Sequence, residues 1–154
     1  MPLQIIDRPA VTVVGLQIRT TPMSPDISAL WPRFVARIPE IAPATEAKTT
    51  YGVMHNQSDG GFDYLACVAV ELSAAVPAGM TKLTLPAGRY AFFSFPFSKL
   101  GEGFGDIFER QLPASAYVQA AGPLFERYGP DFCPDEPASP VEVFVPVAPK
   151  AKGG

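Results

Sequence analysis

The sequence predicts a single α+β domain built from two βαββ halves. Three observations lead to this fold class. The length of 154 residues suits one domain, the 18 prolines and 13 glycines favour short elements with many turns, and the order strand, helix, strand, strand occurs twice. A turn-forming segment at residues 76–80 divides the halves. We expect the halves to pair in a pseudo-two-fold arrangement with a ligand cleft between them.

The first half begins with a strand and a helix. Residues 11–18 are β-branched and apolar, which is typical of a strand. Ser24, Pro25 and Asp26 form a helix start, with a capping side chain, a proline in the first turn and an acid. Pro32 removes a backbone donor, so we expect it to kink this helix or to mark a second start. Apolar residues spaced three and four apart define the buried helix face: Ile27, Leu30, Trp31, Phe34, Val35 and Ile38.

The other strands follow from runs of β-forming residues between turn signals. Residues 56–61 are all turn-forming types, so the two segments that flank them are predicted to form a β-hairpin. The predicted strands lie at residues 49–55, 62–72, 81–85, 88–95, 124–128 and 141–147.

A second helix is predicted after the strand at residues 88–95. Ser98 is its expected cap, and Pro113 ends it because the residue before a proline avoids the helical region. Three glycines weaken the first turns, so the helix is expected to begin near Phe104. Its apolar face comprises Leu100, Phe104, Ile107, Phe108 and Leu112.

Composition and charge exclude several classes of function. The net charge of −3 and the lack of any Lys and Arg cluster argue against direct nucleic-acid binding. No apolar run approaches the roughly 18–20 residues of a membrane span. No signal-peptide pattern opens the chain, so a cytoplasmic protein with reduced Cys67 and Cys133 is expected. We assign residues 1–148 to the domain and residues 149–154 to a disordered tail.

Several motifs resemble the GyrI-like, or effector-binding, domain family. The similarity extends over residues 3–147, and the order of the motifs makes it specific. Its second-half motifs are Pro77–Met80, Pro86-Ala87-Gly88-Arg89-Tyr90-Ala91-Phe92-Phe93, Leu112-Pro113 and Phe125-Glu126-Arg127-Tyr128; the looser first-half matches are Trp31, Tyr51-Gly52-Val53 and Phe62–Ala66. The resemblance implies a pseudo-two-fold effector-binding domain like those of AraC- and MerR-type regulators. Such domains bind hydrophobic, often cationic compounds in an aromatic cleft with a central glutamate.

Glu126 is the residue on which this chemistry would depend. In a strand, Leu124, Glu126 and Tyr128 share one face. If that face is buried, the carboxylate is desolvated and must either take up a proton or hold a cation. A surface ion pair with Arg127 or Arg110 fits the residues equally well. The family resemblance favours the buried position.

Aromatic side chains would surround a cation held by Glu126, each contributing ~0.5–2 kcal/mol when desolvated. For any single one of them, ordinary core packing is the better explanation, so the predicted site depends on the set and not on any one member. His55, the sole histidine, borders the predicted hairpin turn, so a catalytic triad is not expected, and no cluster has metal-ligand spacing. The candidate ligand-binding residues are Glu126, Tyr128, Trp31, Tyr51, Tyr64, Tyr90 and Phe104.

The family resemblance implies three possible functions, and these residues are compatible with each. The first is a stand-alone binding protein for a hydrophobic, in some cases cationic, organic compound, without a cofactor. The second is a hydrolase of strained, cyclopropane-bearing toxins, with Glu126 as the general base. The third is an interaction module that modulates a regulator or DNA gyrase, for which the acidic residues 131–136 are the sole candidate surface. Nothing in the sequence supports a particular protein partner.

Overall fold

The computed structural model describes residues 3–22, 24–41 and 43–150. These residues form one antiparallel sheet and two main helices. The helices are α1 (Pro25–Arg37) and α2 (Leu100–Asp106), which continues as a π-helical segment, Ile107–Gln111. The strands are β1 (Gln4–Arg8), β2 (Val11–Thr20), β3 (Thr50–Ser58), β4 (Gly61–Val70), β5 (Thr81–Leu85), β6 (Gly88–Pro96), β7 (Tyr117–Gln119), β8 (Leu124–Tyr128) and β9 (Pro140–Pro149).

The strand order is symmetric about its centre. It runs β1-β6-β9-β8-β3-β4-β2-β5, and β7 pairs with the end of β9. The unit β2-α1-β3-β4 in the first half therefore corresponds to β6-α2-β8-β9 in the second, and the two halves meet at the β3–β8 pair. The expected fold class, two βαββ halves in a pseudo-two-fold arrangement, is confirmed.

Two short connections make the sheet curl. Pro9-Ala10 joins β1 to β2, and Pro86-Ala87 joins β5 to β6. In both cases the joined strands belong to opposite ends of the strand order. Two residues span only a short distance, so the ends of the sheet must approach each other. The result is a half-barrel with a concave face and an outer face.

The two faces of the sheet hold separate cores. On the concave face, side chains from both ends of the sheet pack around Tyr51, Val53 and Phe125. The outer face carries both helices and is called the helix face below: α1 covers one cluster and α2 another, and Met54 contacts both. Residues of β3 and β8 alternate between these faces, which is why neighbours in sequence lie in different cores.

Helix α1 begins where the sequence predicts. Ser24 Oγ accepts a hydrogen bond from Asp26 N at 3.2 Å, which caps the helix. Pro32 does not start a second helix, because α1 stays continuous through it to Arg37. The placement of Val35 on the buried face was wrong. Val35 is 55% exposed because the sheet contacts only the stripe that contains Leu30 and Phe34.

The hairpin between β3 and β4 is confirmed. Its turn residues Asp59 and Gly60 have φ angles of 53° and 77°, a conformation that twists the chain in the sense of the flanking strands. The second helix differs from the expectation. It begins at Leu100 rather than near Phe104, and Ser98 lies in a 3₁₀ turn without capping α2. Packing against the sheet thus outweighs the low helix propensity of the glycines.

Three further features concern the ends of the chain and the connections. Strands β1 and β7 were not predicted, since each is short and carries little alternation. Strand β9 continues to Pro149, and Lys150 N donates a hydrogen bond to Ala116 O at 2.9 Å. Of the residues expected to form a disordered tail, 149–154, Pro149 thus lies in a strand and Lys150 is hydrogen-bonded, and residues 151–154 lie outside the described part. No described helix is long and apolar enough to cross a membrane.

Candidate ligand-binding site around Glu126

Glu126 lies in the middle of β8, on the helix face. Strand β8 is paired with β3 on one side and with β9 on the other. Glu126 is only 5% exposed, and its Oε1 atom accepts hydrogen bonds from Tyr64 Oη at 2.9 Å and Tyr128 Oη at 2.7 Å. The carboxylate is therefore buried between two hydroxyl donors, one from its own strand and one from β4.

The surface ion pairs considered for Glu126 do not form. Arg127 points to the opposite face, where it pairs with Glu142 at 2.6 Å and with Glu46 at 3.0 Å. Arg110, on the π-helical segment, pairs with Asp106 at the end of α2. Among the described residues, Glu126 forms no salt bridge at all. The site thus contains a carboxylate without a basic partner.

Burial dominates the electrostatics of the site. Desolvation raises the pKa of Glu126 above its usual value, while the hydrogen bonds from Tyr128 and Tyr64 act in the opposite direction. Desolvation likewise raises the pKa values of both tyrosines well above the usual value, and the adjacent carboxylate adds to the effect. Both hydroxyls therefore remain donors at neutral pH.

The second oxygen, Glu126 Oε2, differs from the first. In the described part of the chain no side chain or backbone group donates a hydrogen bond to it. No fully buried side-chain polar atom among those residues lacks a hydrogen-bond partner. Among the described residues, one oxygen of the carboxylate is therefore held by two hydroxyls and the other receives no hydrogen bond.

An aromatic wall, formed by Trp31, Phe97 and Phe132, packs around the two tyrosines that hold Glu126. Trp31 of α1 donates its indole N–H to Tyr64 Oη at 3.2 Å, and its ring meets the Tyr128 ring edge-on at a centroid distance of 5.5 Å. Phe132 contacts Tyr128 at 4.7 Å between centroids, and Phe97 does so at 6.3 Å. Trp31 comes from the first half, and Tyr128, Phe132 and Phe97 come from the second, so aromatic side chains of both halves pack against one another here.

Phe97 and Phe132 were not predicted as site residues. Both lie outside the long strands and helices, Phe97 in the turn after β6 and Phe132 in the loop after β8. For Phe132, the sequence did carry a signal: it is a phenylalanine within residues 131–136, which otherwise suggest a solvated polar loop. Large apolar side chains in such loops indicate a packed surface.

The structure brings together only part of the predicted set. Glu126, Tyr128, Tyr64 and Trp31 form one cluster by the contacts given above. The other three predicted residues lie elsewhere: Tyr51 and Tyr90 on the concave face, with their hydroxyls donating to Glu46 Oε2 and Pro86 O at 2.7 Å each, and Phe104 on α2, where it stacks on Phe108.

Other features that carry chemistry lie away from this cluster. His55 is half-buried at the end of β3 and shares a hydrogen bond of 2.8 Å with Gln17, and burial lowers its pKa. Two surface grooves of about 590 and 520 Å³ lie at the His55 end of the sheet and beside α2, and Glu126 lines neither. No group of His, Cys, Asp and Glu in the described ranges has the arrangement of a metal site.

Comparisons with known proteins agree with this architecture. The transcriptional regulator BrlR of Pseudomonas aeruginosa is 33% identical over 150 residues, which are 96% of this chain but 56% of BrlR. The chain thus spans little more than half of that relative.

Solved structures share the fold. The protein SAV2435, determined bound to tetraphenylphosphonium, matches with a TM-score of 0.75 and 19% identity over 96% of this chain and 94% of its own. An integron cassette protein from the mobile metagenome of Vibrio cholerae matches with a TM-score of 0.70 and 25% identity over 96% and 97%. The model of the GyrI-like small molecule binding domain matches residues 1–148, and the chain therefore belongs to that family.

Proposed function

We propose that this protein binds a hydrophobic organic cation at Glu126. The observation that carries the proposal is the asymmetric carboxylate: Oε1 is occupied by Tyr64 and Tyr128, whereas Oε2 has no donor in the described part of the chain. A cation beside Oε2 would neutralise the charge of the buried carboxylate.

The energetics favour a cationic ligand over a neutral one. A buried carboxylate without a charged partner is costly, so without a cation Glu126 either carries a disfavoured charge or takes up a proton. A cation removes this cost and adds cation–π attraction of ~0.5–2 kcal/mol for each aromatic face. The rings of Trp31, Tyr128 and Phe132 are the nearest candidates for these faces.

The comparisons support the same ligand class. Binding of small molecules is the property for which the family is named. SAV2435, which shares the fold, was solved with tetraphenylphosphonium, a hydrophobic cation without N–H groups. A cation of this kind needs an acceptor charge and aromatic surface, and Glu126 with its aromatic wall offers both.

The test is a calorimetric titration with tetraphenylphosphonium. Wild type and Glu126→Gln are compared, with the exposed Glu102→Gln as a matched control. Loss of a buried charge pair typically costs roughly 2–5 kcal/mol, so we expect Glu126→Gln to weaken binding by about 30-fold or more. Glu102→Gln should bind like the wild type. Equal affinity of wild type and Glu126→Gln would refute a role for the charge.

A second function, hydrolysis, is favoured by the same free oxygen. With Oε1 held by two hydroxyls, Oε2 would take the proton from a water molecule in this reaction. The water oxygen would bond to one carbon of a strained cyclopropane, the carbon–carbon bond would break, and the proton would go to the other carbon. Incubation with a cyclopropane-bearing alkylating toxin should then give a hydrated product by mass spectrometry. A yield no higher than that of Glu126→Gln would refute hydrolysis and leave ligand binding as the proposed function.

A further inference from the structure

Gly52 occupies a special place in the sheet. It pairs with Glu126 at the centre of the five-residue ladder between β3 and β8, where the two halves of the molecule meet. One half contributes a carboxylate at this pair and the other half contributes no side chain. The pseudo-two-fold symmetry is therefore broken at the residues that form the site.

Other side chains occupy the space that a side chain on Gly52 would fill. A Cβ atom built on Gly52 would overlap the Tyr64 hydroxyl and would lie 2.7 Å from Glu126 Oε1. Backbone conformation does not explain the glycine, because its φ angle is not positive. By contrast, a Cβ atom at Gly101 of α2 would meet nothing within 4 Å.

We infer that Gly52 is a positioning residue for the Glu126 site, because its absent side chain leaves the space in which Tyr64 Oη reaches Glu126 Oε1. This inference rests on the proposed function for its consequence in binding, but its geometric part concerns the ligand-free protein. Gly52 itself is not expected to touch the ligand. Its effect acts through Tyr64, which crosses β3 from the neighbouring strand β4.

Filling the space beside Gly52 should break hydrogen bonds around Glu126. Alanine in place of glycine ordinarily stabilises a strand. Here the new methyl group must displace the Tyr64 hydroxyl. The displaced hydroxyl would lose its hydrogen bonds with Glu126 and with the indole of Trp31 together. Oε1 would then keep only the Tyr128 donor, and the carboxylate would lose its fixed orientation.

The experiment is a double-mutant cycle between Gly52→Ala and Tyr64→Phe, with Gly101→Ala as the control. Trp31 is the single tryptophan, so its emission reports directly on the bond to Tyr64. Without ligand, we expect Gly52→Ala and Tyr64→Phe to shift the Trp31 emission in the same direction. The shift of the double variant should be close to that of Tyr64→Phe alone. Gly101→Ala should leave the emission unchanged.

Tetraphenylphosphonium affinity is the second measurement. One lost hydrogen bond to a charged group predicts a loss of about 10-fold or more for Gly52→Ala in the wild type, but less than about 3-fold in the Tyr64→Phe background. Equal losses in both backgrounds, with unchanged emission, would overturn the inference. If Gly52→Ala does not fold, recovery of folding in the double variant supports it, and failure of both overturns it.

The two proposals fail in different ways. Absence of tetraphenylphosphonium binding by the wild type, together with the expected emission shift in Gly52→Ala, would refute the proposed function and keep the positioning role. Binding by the wild type that Gly52→Ala leaves intact would keep the function and refute the positioning role.

Discussion

The charge state of Glu126 should control how cation binding depends on pH. Burial raises the pKa of this carboxyl group, and the two tyrosine donors limit the increase. A cation binds to the carboxylate form, so binding must release the proton wherever Glu126 is still protonated. Affinity is therefore expected to rise with pH through the pKa of Glu126 and to become constant above it.

The magnitude follows from one released proton. On the acid side of the pKa, affinity should increase about 10-fold per pH unit, or about 1.4 kcal/mol. Glu126→Gln should give a weak affinity that does not change with pH. Tyr128→Phe removes one of the two donors to Oε1. Since a hydrogen bond to a charged group contributes about 1.5–3 kcal/mol, the inflection should move up by about one pH unit or more.

The assay is calorimetry with tetraphenylphosphonium between about pH 4.5 and 8 at constant salt. The ligand carries the same charge throughout. Tyr64 and Tyr128 do not titrate in this range, because their pKa values lie well above the usual value. His55 can titrate there, so His55→Gln serves as the control and should reproduce the wild-type profile. A flat wild-type profile, or one that Glu126→Gln reproduces, would refute the reasoning.

Further predictions concern stability, measured by urea unfolding. The pKa of Glu126 is higher in the folded than in the unfolded state, so its stabilising contribution is complete at low pH and is lost as pH rises through the folded pKa; Glu126→Gln should remove that loss. Phe34 is 0% exposed, so Phe34→Ala should lower the free energy of unfolding by about 3–5 kcal/mol. A much smaller loss would contradict the position of Phe34 in the core. Gly103→Ala would bring a Cβ to about 2.5 Å from the Phe95 ring and should destabilise, whereas Gly101→Ala should stabilise by roughly 0.5–1 kcal/mol. The same sign for both glycines would refute this packing argument.

Local sequence rules predicted the elements that depend on local physics. The cap at Ser24 was recognisable because its side chain accepts a hydrogen bond from a backbone N–H only two residues away. The turn at residues 56–61 was recognisable because its residue types favour the left-handed backbone conformation that the turn requires. Strand alternation likewise placed Tyr128 on the face of Glu126. The two-fold order of elements then predicted the pairing of the halves.

Long-range contacts escaped this reasoning. The start of α2 at Leu100 depends on packing against β6, and the short strands β1 and β7 exist because long neighbouring strands offer hydrogen bonds to them. Neither effect leaves a periodic pattern in the segment concerned. For the same reason the exposure of Val35 could not be anticipated from helical spacing alone.

The sequence by itself determined that a carboxylate and a tyrosine share one face of a strand, within an α+β domain of two similar halves. Only the tertiary structure decided which aromatic residues join them. Tyr51 and Tyr64 belong to adjacent strands of one hairpin, yet the register of β3 and β4 sends them to opposite faces of the sheet. Register depends on partners distant in sequence. That register places Tyr64 on the face of Glu126, where its hydroxyl donates to Oε1 close to Gly52.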